Sequence, residues 1–308
     1  MRVVFMGTPD FSVPALEIIA ENHEVPFVVT APDKPRDRNR MTPTPVKAKA
    51  LELGLDVETP ETIKGNEEFL AKLKETAPDC IVVAAYGKIL PKEVLELPKY
   101  GCINVHGSLL PRHRGASPIQ NTVLLGDEEA GVTIMRMEEG LDTGNMILKA
   151  AVPVDRKTAG ELHDELSQMG ANLVYNVLEF FEEGLSFPEI EQDDMQSCYA
   201  PLITKKDGEL RFGIPADKIE RRIRAMSPWP GAYTKYNGEI LKVWWADVLP
   251  GTSGKRPGTI LSVSDDGIEV AAKDDRLLIR EIQMPGKKRM EVKEYIKGNS
   301  IVEGTVLG

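Results

Sequence analysis

Asn104 and His106 stand two residues apart in the apolar run Cys102-Ile103-Asn104-Val105-His106. Strand side chains repeat every two residues, so an amide and an imidazole share one face. The amide can donate to an oxygen that gains negative charge, and the imidazole can give or take a proton near neutrality. A second stretch, Glu138-Glu139-Gly140-Leu141-Asp142-Thr143-Gly144, joins strand-like runs at 132–137 and 146–150, and its glycines mark a tight turn at a sheet edge. That turn can bring Asp142 against His106. A strand histidine by itself is more often a satisfied structural residue than a catalyst; the carboxylate-bearing turn is what favours chemistry here. An Asn, a His and an Asp with no serine or cysteine clearly paired to the imidazole suit direct acyl transfer better than a covalent route.

The neighbouring residues fix where such groups sit. Gly107 and Ser108 end the strand, Pro111 bars an immediate helix, and Arg112, Arg114 and Gly115 precede a helical run over 118–125. The nearly continuous apolar run over 79–87 reads as a central parallel strand covered on both faces. Ligands in such sheets bind at the carboxyl ends of strands, so Tyr86-Gly87-Lys88-Ile89-Leu90-Pro91 is a candidate wall for a flat ring. Upstream, 2–6 predicts a first buried strand and 13–22 a helix capped by Ser12. The turn between them is not GxGxxG, which sets a nicotinamide or flavin cofactor aside. A second strand over 25–30 leads into 31–45, where four prolines and four basic residues predict an exposed loop, either simply solvated or in contact with phosphates. Helical patterns at 46–53, 66–76 and 158–181 and a short strand at 55–58 complete a Rossmann-like α/β domain with a mostly parallel sheet. His163, on the last helix, is read as a surface or packing residue.

At 308 residues, 42% hydrophobic and 28% charged, the chain has room for two domains and the balance of a globular protein. No transmembrane run is visible, and a strand that starts at residue 2 predicts that no signal or transit peptide precedes the fold. Cys80, Cys102 and Cys198 form no CxxC pair, and the first two sit in apolar strands as buried thiols do; a reducing cytoplasm fits, and a zinc site does not. The stretch 179–194 holds seven acids and no base, the end of a helix running into an acidic linker. A catalytic domain is therefore expected over 1–184, a linker over 185–203 and a second domain over 204–308. There a helix over 216–226 and five short runs, at 233–236, 241–245, 258–263, 267–272 and 276–282, predict a small OB-like β-barrel of a kind that often binds oligonucleotides. Trp229, Trp244 and Trp245 would stack on bases or fill its core. Net charge is −10, yet 204–308 carries 19 basic against 15 acidic residues while the remainder carries 19 against 33. Such asymmetry suits a polyanion on the basic part, and equally a solvated, mildly basic surface.

The motifs GTPDF at 7–11, PTPVK at 43–47, AYGKILP at 85–91, NVHGSLLPRHRGASPIQ at 104–120, GLDTG at 140–144 and PWPGA at 228–232 run along nearly the whole chain. Together they resemble the formyltetrahydrofolate-dependent formyltransferases. The shared core, NxHxSLLP followed by GxDTG, does not choose the acceptor: relatives formylate glycinamide ribonucleotide or an amino sugar nucleotide, or hydrolyse the folate. The basic, proline-rich loop and the appended domain resemble the tRNA-directed members. The resemblance implies a formyltransferase domain followed by a tRNA-binding barrel, with 10-formyltetrahydrofolate as formyl donor and initiator Met-tRNA as acceptor. It implies no metal and no obligate protein partner.

Residue by residue, the resemblance implies catalysis by Asn104, His106 and Asp142. Asn104 would donate to the oxyanion of a tetrahedral species, His106 would add a second donor or take the amine proton, and Asp142 would orient the imidazole or hold a relaying water. Ser108, Leu109, Leu110 and Pro111, with Tyr86, Gly87 and Ile89, would border the folate, and Arg38, Arg40 and Lys47 would meet the tRNA. Asp37 and Asn39 flank Arg38 where the family usually carries a glycine-flanked arginine followed by lysines, a departure that touches the loop's contacts and not the chemistry. Binding through phosphates releases counterions, so tRNA affinity is expected to fall roughly tenfold or more between about 50 mM and 200 mM salt. Filter binding across that range checks this, and a flat affinity refutes it.

Overall fold

Seven strands carry the first unit of the fold: Val3–Gly7 (β1), Val28–Val29 (β2), Val57–Glu58 (β3), Cys80–Ala84 (β4), Cys102–His106 (β5), Glu129–Arg136 (β6) and Met146–Pro153 (β7). They belong to a computed structural model that describes residues 1–36, 40–185 and 187–308, without the side chains of 34–36 and 40. The sheet order is β7-β6-β5-β4-β1-β2-β3; β1 to β5 are mutually parallel, whereas β6 runs antiparallel to β5 and β7 antiparallel to β6. β1 and β4 are buried at every position, which is why both read as unbroken apolar runs.

Helices Val13–Asn22, Pro45–Glu52 and Glu67–Thr76 fall where the 3.6-residue spacing puts them. The Thr44 hydroxyl accepts from Lys47 N and the Asn66 side chain from Phe69 N, each satisfying a backbone donor that the first helical turn leaves free. Ser12 does not cap its helix as expected; its hydroxyl donates to Ala84 O at 2.6 Å and ties the helix start to β4. β1 ends on a glycine for a steric reason. A Cβ on Gly7 would lie 2.8 to 3.0 Å from Phe5, Ser12 and the Ala84 carbonyl. On one side of the sheet Val4, Met6, Phe27, Phe69, Leu73, Ile81 and Val83 form a continuous core. The long helix Ala159–Glu182 approaches β5 so closely that a Cβ on Gly170 would meet Val105 Cγ1 at 2.6 Å. Val105 is thereby spent on packing, and Asn104 and His106, of opposite parity, look the other way.

Two segments within 31–45 hold more order than a loop. Lys34–Arg36 and Arg40–Thr42 pair antiparallel, an arrangement that the prolines hid from a reading of alternation. The stretch 185–203 also carries backbone pairing: Ile190 bridges Met146, and Tyr199–Ala200 runs parallel to Arg114–Gly115. The first unit comprises 1–118, 129–153 and 163–201, the second 119–128, 154–162 and 202–308.

The second unit is organised on Ala232–Tyr236 (β8), Glu239–Leu249 (β9), Ile260–Ser264 (β10), Gly267–Ala271 (β11) and Arg276–Gln283 (β12). These form an antiparallel sheet in the order β8-β9-β12-β11-β10, with Met290–Glu291 added against β12. Register shifts at Val243, Trp245 and Ala246 interrupt the ladder where β9 meets β12. Trp244 is buried and donates to Gln283 Oε1 at 3.2 Å, Trp245 stacks under the Arg156 guanidinium, and Trp229 is exposed. Among the described residues no helix is long and apolar enough to cross a membrane.

Leu73 has no solvent exposure and sits in the middle of the core beside Phe69 and Val4. Leu73→Ala is expected to cost about 2–5 kcal/mol through lost burial and the cavity left behind. Urea unfolding at an unchanged m-value measures this.

Candidate active site

The β5–β6 ladder sets His106 opposite Thr133 and Asn104 opposite Met135. Thr133 is fully buried; its hydroxyl donates to Ser108 O at 2.7 Å and accepts from Leu110 N at 3.2 Å. The chain leaving β5 is thus tied back onto β6. Ser108 Oγ donates to Arg112 O at 2.7 Å, so this hydroxyl is occupied by the backbone of its own loop and is no nucleophile for His106. Leu109 lies flat on β6, where a Cβ on Gly131 would come within 2.4 Å of its side chain.

His106 is nearly buried, and its two nitrogens have different partners. Nε2 lies 3.0 Å from His113 O, and since a carbonyl only accepts, this nitrogen carries the hydrogen. Nδ1 faces Asp142 Oδ2 at 3.7 Å, beyond a direct hydrogen bond but well within strong electrostatic reach. The same carboxylate oxygen accepts from Gly115 N at 2.9 Å. Gly115 is a glycine by necessity: its φ is 120°, and a Cβ would lie 2.7 Å from Ala200 O and from the Tyr199 ring. Asn104 is partly exposed, and among the described residues its amide has no hydrogen-bond partner, so its donors are open to a ligand.

The three residues singled out for chemistry therefore share one place, and Ser108, Leu109, Leu110 and Pro111 border it directly in sequence. The expected flat-ring wall divides. Tyr86 is buried with Phe27, Val83 and Leu90 in the core, where burial pushes its hydroxyl up to about 12, whereas Ile89 is 83% exposed. Gly87 adopts a φ of 77° between them. Lys47, in the first turn of its helix, pairs with Asp33 at 2.6 Å. Arg38 lies outside the described residues, as does the side chain of Arg40.

Four residues at this place escaped the sequence reading. Thr133 had a signal, a lone hydroxyl in the apolar run Val132-Thr133-Ile134-Met135. His113, which supplies the carbonyl for His106, and Cys198, whose sulfur accepts from His113 N at 3.2 Å, had none. Nor did Gln192, a buried amide in an acidic stretch, which donates to Asp142 O and Gly144 O.

A mostly parallel sheet with an open amide and an imidazole on one strand, and a carboxylate brought to the imidazole by a turn, suits a group-transfer enzyme of the α/β class. Residues 1–178 match the formyl transferase family, and residues 202–300 match the formyl transferase C-terminal domain. The chain is 51% identical over 311 residues to a methionyl-tRNA formyltransferase of Clostridioides difficile and 47% identical over 310 residues to one of Caldanaerobacter subterraneus, covering 100% of every chain. The fold is like that of a Helicobacter canadensis N-formyltransferase solved with folinic acid and dTDP-3-aminofucose: TM-score 0.65 at 19% identity, over 92% of this chain and 98% of that one. The chain belongs to the formyl transferase family.

Removing the Thr133 hydroxyl leaves a buried carbonyl and a buried amide without their partner. Thr133→Val, similar in shape, is expected to destabilise the protein by about 1–3 kcal/mol, read as a lower denaturant midpoint.

Proposed function

We infer that the protein transfers the formyl group of 10-formyltetrahydrofolate to the free amino group of methionyl-initiator tRNA, giving N-formylmethionyl-tRNA. The observation that carries this is identity of 51% to a methionyl-tRNA formyltransferase over 100% of both chains. The gathering of Asn104, His106 and Asp142 at one place supports it independently.

In this reading the amine nitrogen attacks the formyl carbon on N10 of the folate. A tetrahedral species forms with its negative charge on the former formyl oxygen, the N10–carbon bond then breaks, and N10 takes up a proton. Asn104, with its amide donors open, stabilises that oxygen, the point where charge develops most. The proton lost by the amine passes on the Nδ1 side of His106, because Nε2 is committed to His113 O. Asp142 balances the imidazole's positive charge as it forms, and the 3.7 Å gap leaves the imidazole and carboxylate separable as the proton moves. Ser108 to Pro111 and Ile89 border the folate. Arg38, Arg40 and Lys47, with the basic surplus of the second unit, hold the tRNA through its phosphates.

The deciding experiment follows labelled formyl from formyltetrahydrofolate onto charged initiator Met-tRNA, with elongator Met-tRNA, uncharged tRNA and amino sugar nucleotides alongside. Label is expected on initiator Met-tRNA alone. Label on a sugar nucleotide instead, or folate turnover with no acceptor labelled, overturns the reading. Asn104→Ala is expected to lower turnover about 10²- to 10³-fold while tRNA binding persists.

A further inference from the structure

The turn that carries Asp142 starts at the wrong end of β5 for its task. β6 ends with Arg136 beside Ile103, and Met137 N then donates to Cys102 O at 2.8 Å, at the opposite end of β5 from His106. To bring Asp142 to the imidazole, the chain folds back along β5 by three residues, about 10 Å. The turn has little of its own to hold it there. Glu138, Glu139, Gly140, Leu141 and Thr143 are exposed, and Asp142 adopts a φ of 53°, the left-handed region that side-chain-bearing residues enter at a cost.

The hold comes from a distant segment. Gln192 is only 7% exposed; its Nε2 donates to Asp142 O at 2.9 Å and to Gly144 O at 2.7 Å, and its Oε1 accepts from Arg114 Nε at 3.0 Å. Arg114 adjoins Gly115, whose N–H binds the Asp142 carboxylate. One amide therefore links the backbone of the turn to the segment that fixes its side chain, using both its donors and its acceptor. The strap bearing Gln192 is pinned on both sides. Ile190 and Met146 exchange backbone hydrogen bonds of 2.8 and 2.9 Å, and Tyr199–Ala200 pairs with Arg114–Gly115. Arg136 and Glu189 join the foot of the turn to the start of the strap.

We propose that Gln192 is a positioning residue for formyl transfer, holding the 138–144 turn over β5 so that the Asp142 carboxylate stays against His106. This rests on the assignment of Asn104, His106 and Asp142 to the reaction. Glutamate in place of Gln192 keeps the size of the side chain but turns a carboxylate on two carbonyl oxygens, so the donors, and not the volume, are what the role requires.

The test compares Gln192→Met and Gln192→Glu with the wild-type chain in formyl transfer to initiator Met-tRNA, then repeats Gln192→Met in an Asp142→Asn background by single turnover. Both single variants are expected to lose about 10- to 100-fold in kcat, as for a reacting group displaced by about 1 Å, with KM for the folate within about threefold. In the Asp142→Asn background the further loss is expected to stay below about twofold, since the group being positioned no longer contributes. Wild-type turnover by Gln192→Glu, or an equal loss in both backgrounds, overturns the proposal. Backbone hydrogen exchange over 138–144 gives a second readout: faster exchange in Gln192→Met is expected, and unchanged exchange overturns the role. Full activity of Asp142→Asn alone would instead remove the site assignment, while exchange still decides whether Gln192 places the turn.

Discussion

One carboxylate oxygen, Asp142 Oδ2, lies between the Gly115 N–H and the His106 imidazole, so the 138–144 turn meets both the strand and the loop that follows it. The backbone N–H offers the carboxylate a fixed donor, so its charge is anchored whatever the state of the histidine. Each partner depends on a further constraint. Gly115 must be a glycine to let Tyr199 and Ala200 pass beside it, and His106 keeps its ring plane because the His113 carbonyl holds Nε2. The ladder between β5 and β6 then fixes the strand on which the imidazole stands, through Thr133 as well as through register.

In the proposed reading this arrangement separates two electrostatic tasks that acyl transfer sets. The oxygen that becomes negative needs a donor already aimed and not otherwise engaged, because reorienting a bound group costs part of what it contributes. Asn104 fits that condition in the proposed reading, being the polar residue of its strand without an internal partner among the described residues. The nitrogen that becomes positive needs a proton acceptor backed by negative charge, and in this reading the imidazole–carboxylate pair supplies it two residues further along the strand. Parity along β5 keeps both on one face, while Val105 between them packs against the long helix.

Much of this was legible in the residues. The bounds of β5, the pairing of its Asn and His, and the turn that delivers Asp142 follow from alternation and glycine placement, which are local rules. The covered strands β1 and β4 announce themselves by unbroken apolar runs. What could not be read has a common cause in partners distant along the chain. Ser12 resembles a cap but gives its hydroxyl to Ala84, seventy-two residues away. Gln192 sits among acids whose only local message is solvation, and its importance lies in two carbonyls near residue 143. The pairing of 34–36 with 40–42 was masked by prolines that weigh against a strand. Trp244 and Trp229 carry the same side chain in the same unit, one buried and one exposed, a difference that composition cannot foresee.

The three cysteines are unequal in a way that makes the protein its own reporter. Cys80 and Cys102 lie inside adjacent strands, where burial pushes both thiols up, Cys102 to about 12, so neither offers an appreciable thiolate to an alkylating reagent. Cys198 is the partly exposed one, and its sulfur lies against the backbone of the residue whose carbonyl holds His106. A thiol-directed fluorophore or a fluorinated tag on the folded chain would thus enter at one position without any cysteine being engineered away. Its signal would come from the residues behind the imidazole, turning occupancy of the proposed site into something that can be watched in real time.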